Sequence, residues 1–99
     1  MKLHYSTEGA TNSRYRKIKS VIHALRLQVN EVAHDTNADL SAISAFNTLP
    51  LLETQEGTFF SSNTIIRFLA ASAGNKLYGT NLHERALVDQ WLDISTCEF

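Results

Sequence analysis

The sequence predicts a small α/β layer fold, in which helices cover both faces of a mixed four-stranded sheet. Three observations lead to this prediction. Short apolar runs alternate with helical periodicities along the chain. A helix separates the first two runs, which favours a parallel strand pair. A turn of four residues separates two later runs, LLE and TFF, which indicates an antiparallel hairpin.

The first half of the chain predicts the order β-α-β-α. Residues 2–5 are a short strand, and the loop that follows offers Thr11 or Asn12 as a helix N-cap. Alternation over 28–34 predicts a second strand, and 39–46 is a short helix candidate. Between the strands, a helix over 13–26 is predicted by apolar residues at i, i+3, i+4 and i+7, namely Ile18, Val21, Ile22 and Leu25.

The second half predicts a β-β-α unit and one further helix. The strands are 51–53 and 58–60, and Ser61 or Ser62 is expected to cap a helix that ends near Ser72. Gly74 is the expected residue just past its C-terminus. A last helix is predicted over 82–95 and is expected to bury four apolar side chains, Leu87, Val88, Trp91 and Ile94.

Composition and charge exclude several classes of protein. The net charge is -1, so no overall field selects nucleic acid or an anionic membrane. No apolar run reaches the length of a membrane helix, and MKLHYSTEGA lacks the apolar core of a signal peptide. The single cysteine, Cys97, cannot form an internal disulfide, which favours a reducing, cytoplasmic setting. The four histidines show no metal-ligand spacing, so neither a metal nor a required cofactor is expected.

Basic residues are concentrated at the first helix. They are five of the nine in the chain, Arg14, Arg16, Lys17, Lys19 and Arg26. A solvated surface is the favoured interpretation, with RNA or an acidic partner as alternatives. Because no aromatic residues are interleaved for base stacking, a direct nucleic-acid partner is not expected.

Two features of LPLLETQEGTFFSSN bear on function. Pro50 is the only proline in the chain and stands where a strand begins, a position that suits a residue with no backbone donor. The paired hydroxyls of Ser61 and Ser62 open a helix, where they either cap free amides or form an anion site with them.

LPLLETQEGTFFSSNTIIRFLA resembles the second half of the thioredoxin-like N-terminal domain of glutathione S-transferases. Residues 49–52 match the family's cis-proline segment, and residues 62–69 match the start of the helix after its hairpin, with Phe68 in place of tyrosine. LYGTNLHERALVDQWLDIS is similar to the linker and first helix of the family's helical second domain. The resemblance implies a thioredoxin-like domain over 1–76, an incomplete helical domain over 77–99 and a cis Leu49–Pro50 bond.

The resemblance also implies site residues. The backbone of Leu49, before Pro50, would pair with the cysteinyl backbone of glutathione, and Ser62 would bind the γ-glutamyl carboxylate. Ser61 stands where the family usually has Glu or Gln. A catalytic hydroxyl would come from the loop after the first strand or the start of the first helix, where the candidates are Ser6, Thr11 and Ser13, beside Tyr5 and Thr7.

Two classes of function follow from the resemblance. The first is a noncatalytic interaction domain, similar to the gamma subunit of translation elongation factor 1, that docks other elongation factor subunits or aminoacyl-tRNA synthetases. The second is a glutathione transferase that conjugates glutathione to small electrophiles. A homodimer fits either class, and glutathione is the ligand or substrate that the resemblance suggests. The departure at Ser61 and the lack of a clearly placed catalytic hydroxyl favour the first.

Overall fold

The computed structural model describes residues 1–6, 13–35, 49–74 and 77–98. Its elements are β1 Lys2–Ser6, α1 Ser13–Leu25, β2 Asn30–His34, β3 Leu51–Glu53, β4 Thr58–Phe60, α2 Ser62–Ser72 and α3 Leu82–Glu98. The prediction of a mixed α/β fold is confirmed, and each of these elements matches a predicted one to within a few residues. The helix predicted over 39–46 and the predicted caps Thr11 and Asn12 lie outside the described residues.

The four strands form one sheet in the order β2-β1-β3-β4. β1 pairs in parallel with β2, and β3 pairs antiparallel with both β1 and β4. This pattern follows from the connections, because the chain passes through α1 between β1 and β2 and makes only a tight turn between β3 and β4. The mixed sheet that the sequence predicted is therefore present.

Alternation along the strands separates two faces of the sheet. Leu3 of β1 and its partner Leu52 of β3 are fully buried on the face that α1 and α2 cover. The core there is completed by Ile18, Ile22, Ile65, Ile66 and Leu69. His4 and its partner Leu51 are buried on the opposite face, where His4 is a polar side chain at only 6 % exposure.

The packing of α3 differs from the prediction. Val88 and Ile94 are half-buried, but Leu87 is 43 % exposed and Trp91 is 65 % exposed, so the expected burial of these two is wrong. The helix meets α1 and α2 through positions 88, 92 and 95, which follow the spacing i, i+4, i+7. That face points Leu87 and Trp91 away from the core. Among the described residues, no helix has the length and apolar character needed to cross a membrane.

Hydrogen bonds fix the end of α2 and the start of α3. Gly74 has a φ of 81° just past the end of α2 and its amide donates to the Ala71 carbonyl at 3.1 Å, as predicted for a helix stop. At the start of α3, the Glu84 amide donates to Asn81 Oδ1 at 2.9 Å, and the Glu84 carboxylate accepts from Thr80. This reciprocal capping satisfies amides that a helix start leaves without partners.

The last turn of α1 ends on a residue in a left-handed conformation. Arg26 has a φ of 54°. Its amide donates to the His23 carbonyl at 3.2 Å, and the Leu27 amide donates to the Ile22 carbonyl at 3.1 Å. Glycine usually occupies this position, because a side chain there costs about 1–2 kcal/mol.

We therefore expect Arg26→Gly to raise the free energy of unfolding by about 1 kcal/mol, because glycine adopts this conformation without steric cost. Chemical denaturation measures the change. Arg26→Ala is the matched control: it removes the same charge but keeps the Cβ atom, and it should give no comparable gain. Equal stabilities for the two variants would contradict the explanation.

Candidate functional site

The candidate site lies where several chain segments leave one edge of the sheet. Because Leu51 pairs with Phe60, the residues before β3 and after β4 emerge at the same edge. The carboxyl ends of β1 and β2 are there as well, since Ser6 pairs with His34 and the ladder of β1 with β3 runs from Lys2 towards Leu51. The edge therefore brings together three of the regions that the sequence singled out: the end of β1, the Leu49–Pro50 segment and the start of α2.

The Leu49–Pro50 peptide bond is cis, which confirms that prediction. Pro50 is buried and Leu49 is half-buried at the start of β3. The proline thus directly precedes β3, where the lack of a backbone N–H donor removes no hydrogen bond from the sheet.

Ser61 occupies the N-cap position of α2 in an unusual conformation. Its φ is 77° and its ψ is 120°, a sparsely populated region for any residue except glycine. Its carbonyl accepts the first helical bond, from the Ile65 amide at 3.0 Å. Its hydroxyl makes no capping bond, so the expectation that this side chain caps the helix is wrong. The usual N-cap has an extended backbone, and the backbone of Ser61 departs from it.

Ser62 is the first residue of α2 and is 7 % exposed. It stands beside the free amides at the start of an 11-residue helix, where the helix dipole favours negative charge. The local chemistry therefore suits a carboxylate.

The candidate catalytic hydroxyls are only partly described. Ser6 is half-buried at the end of β1, and Ser13 is the first residue of α1, whose side chain is not described. Thr11 lies outside the described residues, as does Thr7. Tyr5 stacks on Tyr15 with ring centroids 4.4 Å apart. Of the candidates Ser6, Thr11 and Ser13, Ser6 is thus the one whose side chain falls in the described part of the structure.

The residue after Ser62 joins three helices, which sequence reasoning missed. Asn63 is 7 % exposed; its Oδ1 accepts from Lys17 Nζ of α1 at 2.8 Å, and its Nδ2 donates to the Leu92 carbonyl of α3 at 2.8 Å. Lys17 Nζ also donates to Ser95 Oγ at 3.1 Å. Burial and then the Arg14 charge lower the pKa of Lys17. We call Lys17, Asn63, Leu92 and Ser95 the three-helix clasp.

A second polar junction holds α3 one turn further along α2. Arg67 Nε donates to Asp89 Oδ1 at 2.9 Å, and Tyr78 donates to the same oxygen at 2.6 Å. The Tyr78 hydrogen bond, followed by the Arg67 charge, holds the pKa of Asp89 below its usual value. Arg67 also lies 3.8 Å from Asp93. The two junctions fix the rotation of α3 about its own axis, and this rotation leaves Leu87 and Trp91 outside.

Side chains that could bind a metal ion are dispersed in the described part of the molecule. Within residues 1–6, 13–35, 49–74 and 77–98, no three His, Cys, Asp or Glu side chains are arranged to hold a metal ion. His4 and His34 do meet, however, together with Glu53. Sequence spacing does not indicate this contact, because the residues are far apart along the chain.

Solved structures show which fold this is. A theta class glutathione S-transferase from Xanthomonas axonopodis pv. citri, solved with glutathione bound, matches with a TM-score of 0.83 and 24% identity, over 99% of this chain and 49% of that one. Glutathione S-transferase isozyme E7 from Drosophila melanogaster matches with a TM-score of 0.81 and 25% identity, over 97% and 46%. The chain therefore has the thioredoxin-like fold of a glutathione transferase N-terminal domain.

Relatives that are similar in sequence include elongation factor 1-gamma as well as a glutathione S-transferase. Elongation factor 1-gamma 2 of Oryza sativa subsp. japonica is 47% identical over 51 residues, which is 50% of this chain and 12% of the relative. Glutathione S-transferase F12 of Arabidopsis thaliana is 39% identical over 57 residues, covering 54% and 27%. No family model matches the chain. The chain is a glutathione transferase-like domain that resembles elongation factor 1-gamma, and it spans a small part of that relative's length.

The three-helix clasp generates a prediction about stability. Asn63→Ala should lower the free energy of unfolding by about 1–3 kcal/mol, because it leaves Lys17 and the Leu92 carbonyl short of a partner in a partly buried place. Denaturant unfolding measures the loss. Thr64→Ala changes the next, exposed residue of α2 and should cost less than about 0.5 kcal/mol. Losses of the same size in both variants would show that the clasp does not stabilise the fold.

Proposed function

We propose that this chain is a docking domain of an elongation factor 1-gamma-type protein and that it holds partner proteins rather than converting a substrate. The observation that carries the proposal is an apolar surface on a helix fixed in place: Leu87 and Trp91 are exposed on α3 while two polar junctions hold the other side of that helix. Tryptophan in such a position is typical of the residues that dominate protein interfaces. The likeness to elongation factor 1-gamma supports the same class of function.

The candidate site supports this choice over transfer chemistry. A transferase must stabilise the glutathione thiolate with a placed donor, since the thiolate is the nucleophile. Among the candidate donors, Ser6 is half-buried at the end of β1, where it pairs with His34 of β2. Ser61 is a short neutral side chain whose hydroxyl does not bond the helix start. A docking domain needs none of these features.

The partners that we propose are other elongation factor subunits or aminoacyl-tRNA synthetases, in the cytoplasm. They would cover the α3 face formed by Leu87 and Trp91, which lie one helical turn apart. A second copy of the chain is the competing occupant of this face.

The docking proposal predicts a specific loss of binding. In calorimetric titration with purified elongation factor 1 subunits, Trp91→Ala should weaken affinity at least tenfold, as expected for an aromatic anchor at an interface. Leu82→Ala is the matched control, because Leu82 is 85 % exposed on the same helix but lies roughly 180° around it from Trp91 at about 100° per residue.

Three results would contradict the docking proposal: no subunit or synthetase binds, both variants bind like the parent, or the chain forms a dimer that Trp91→Ala dissolves. Conjugation of glutathione to an aromatic electrophile well above the uncatalysed rate would favour the transferase alternative instead.

Glutathione binding is the second candidate function, and one observation favours it. Ser61 keeps a strained backbone although its hydroxyl does nothing for the helix, and it presents the buried Ser62 hydroxyl beside free amides. Strain of this kind costs about 1–3 kcal/mol and clusters at ligand sites. The cis Leu49–Pro50 segment leaves the sheet at the same edge. We propose that the γ-glutamyl carboxylate binds at Ser62 and that the Leu49 backbone pairs with the cysteinyl unit.

This proposal predicts that Ser62→Ala weakens glutathione binding by about tenfold or more, because a hydrogen bond to a charged carboxylate is lost. Calorimetry or amide chemical shifts measure the change. Ser72→Ala, at the far end of α2, is the control and should leave the affinity unchanged, since Ser72 bonds only its own helix through the Leu69 carbonyl. Equal affinities for Ser62→Ala and the parent would remove the site assignment without touching the docking proposal.

A further inference from the structure

A chain of three titratable side chains crosses three strands of the sheet. Glu53 Oε1 of β3 lies 2.8 Å from His4 Nε2, and His4 Nδ1 lies 2.7 Å from His34 Nε2 of β2. His4 is 6 % exposed and has both ring nitrogens engaged. We call Glu53, His4 and His34 the relay. Since its members stand on β3, β1 and β2, it ties the edge strand β2 to the centre of the sheet.

Hydrogen-bond chemistry fixes the protons of the relay when Glu53 is ionised. A carboxylate only accepts, so His4 Nε2 must carry a hydrogen and donate it. In a neutral His4, the Nδ1 atom is then an acceptor, and His34 Nε2 must donate to it. When both rings are neutral, both histidines are therefore in the Nε2–H tautomer.

One further proton fits the relay and a second does not. If His34 takes the proton, its Nε2 still donates to His4; if His4 takes it, its Nδ1 donates to His34 and an ion pair with Glu53 forms. If both rings are charged, two N–H groups face each other across 2.7 Å and the bond between β1 and β2 side chains is lost. The relay thus holds one added proton and breaks on the next.

The charged groups around the relay keep its carboxylate ionised in mild acid. The hydrogen bond from His4, followed by the charges of His4, Lys2 and the amino terminus, lowers the pKa of Glu53. A carboxylate with a lowered pKa keeps its contribution above the ordinary value near pH 4.5 and loses it only as the pH falls through the lowered value. Glu53 therefore stays ionised between pH 5 and pH 7, roughly the range in which histidines ordinarily titrate.

Within the ranges that the structure describes, the neighbouring strands add few other charges on this face. Lys2 of β1 stands opposite Glu53, and Thr58 and Phe60 of β4 are uncharged. Glu31 of β2 bonds Tyr15 and Lys19 of α1, on the helix-covered face. Asp35 follows His34 directly along the chain. In the described part of the molecule, the only anion bonded to the histidine pair is Glu53, so a second proton has no second carboxylate to offset it.

We propose that the relay is an acid-sensitive latch on β2: it holds the carboxyl end of that strand against β1 at neutral pH and releases it when both His4 and His34 are protonated. His34 pairs with Ser6 at the edge where the Leu49–Pro50 and Ser61–Ser62 segments also emerge. Release of the latch therefore loosens the edge that carries the candidate site, and mild acid becomes a signal that this edge can respond to.

Two NMR measurements on the 99-residue chain test the proposal. Imidazole nitrogen shifts should show the Nε2–H tautomer for both His4 and His34 near pH 7.5. Amide exchange, corrected for the pH dependence of intrinsic exchange, should show protection over 30–34 falling about tenfold between pH 7 and pH 5, as expected when one hydrogen bond is lost. Protection in α2 should change much less over the same range.

Variants separate the latch from a general effect of acid. In His34→Gln the amide can still donate to His4 but cannot be protonated, so the acid loss of β2 protection should disappear while protection at pH 7 is kept within a few-fold. Glu53→Gln keeps an acceptor for His4 but removes the anion, so the first proton should bind at lower pH. His23→Gln removes an exposed histidine of α1 and should leave the acid response unchanged.

Three outcomes would overturn the latch. One is β2 protection that does not change between pH 7 and pH 5 in the parent chain. Another is the same acid response in His34→Gln as in the parent. The third is an Nδ1–H tautomer for His4 near pH 7.5. If His34→Gln is unfolded at neutral pH, the tautomer measurement and Glu53→Gln still decide the question.

Discussion

The double pairing of β1 is the constraint on which the rest of the molecule depends. This strand bonds β2 on one side and β3 on the other, and its five residues set the register of both. Leu3 points into the core under α1 and α2, and His4 points to the opposite face. A one-residue slip of β1 would exchange these two side chains, placing an imidazole in the apolar core and breaking the relay. Apolar burial and polar bonding therefore specify the same register.

The contact between α2 and α3 is held by other interactions than those of the core. Its apolar contacts are modest, and its geometry is set by hydrogen bonds and ion pairs through Asn63, Lys17, Arg67 and Asp89. Such bonds need defined distances and angles, so they fix how α3 is rotated, whereas an apolar stripe alone would tolerate several rotations. The same residues couple α3 to the candidate site, because Asn63 directly follows Ser62. The proposed docking face of α3 and the candidate site at the start of α2 thus share a support.

Local features could be predicted where the residues that determine them are close together along the chain. The β3–β4 hairpin, the periodic α1 and the glycine stop after α2 each depend on a few neighbouring residues. The cis bond at Pro50 came from the family resemblance rather than from any local rule. For the candidate site, the sequence singled out Pro50 and Ser62, and the structure places the two segments that carry them at one edge of the sheet.

Long-range features were not predictable from spacing. The period of α3 suggested an inward face through Leu87 and Trp91, because a stripe meant for a partner looks the same in sequence as one meant for the core. The contact of His4 with Glu53 joins positions 49 residues apart and depends on strand order, which spacing does not encode. The backbone of Ser61 is set by the turn between β4 and α2, and nothing in its residue type signals it.

The position of Trp91 gives the molecule a built-in optical property. It is the only tryptophan of the chain, and at 65 % exposure its indole ring stands mostly in water. Its fluorescence emission should therefore change little when the core unfolds, since unfolding moves the ring from one aqueous environment to another. A protein that covers the α3 face would instead transfer the ring into an apolar environment and shift its emission to shorter wavelength. The tryptophan emission of this domain is therefore expected to report binding at the α3 face rather than folding.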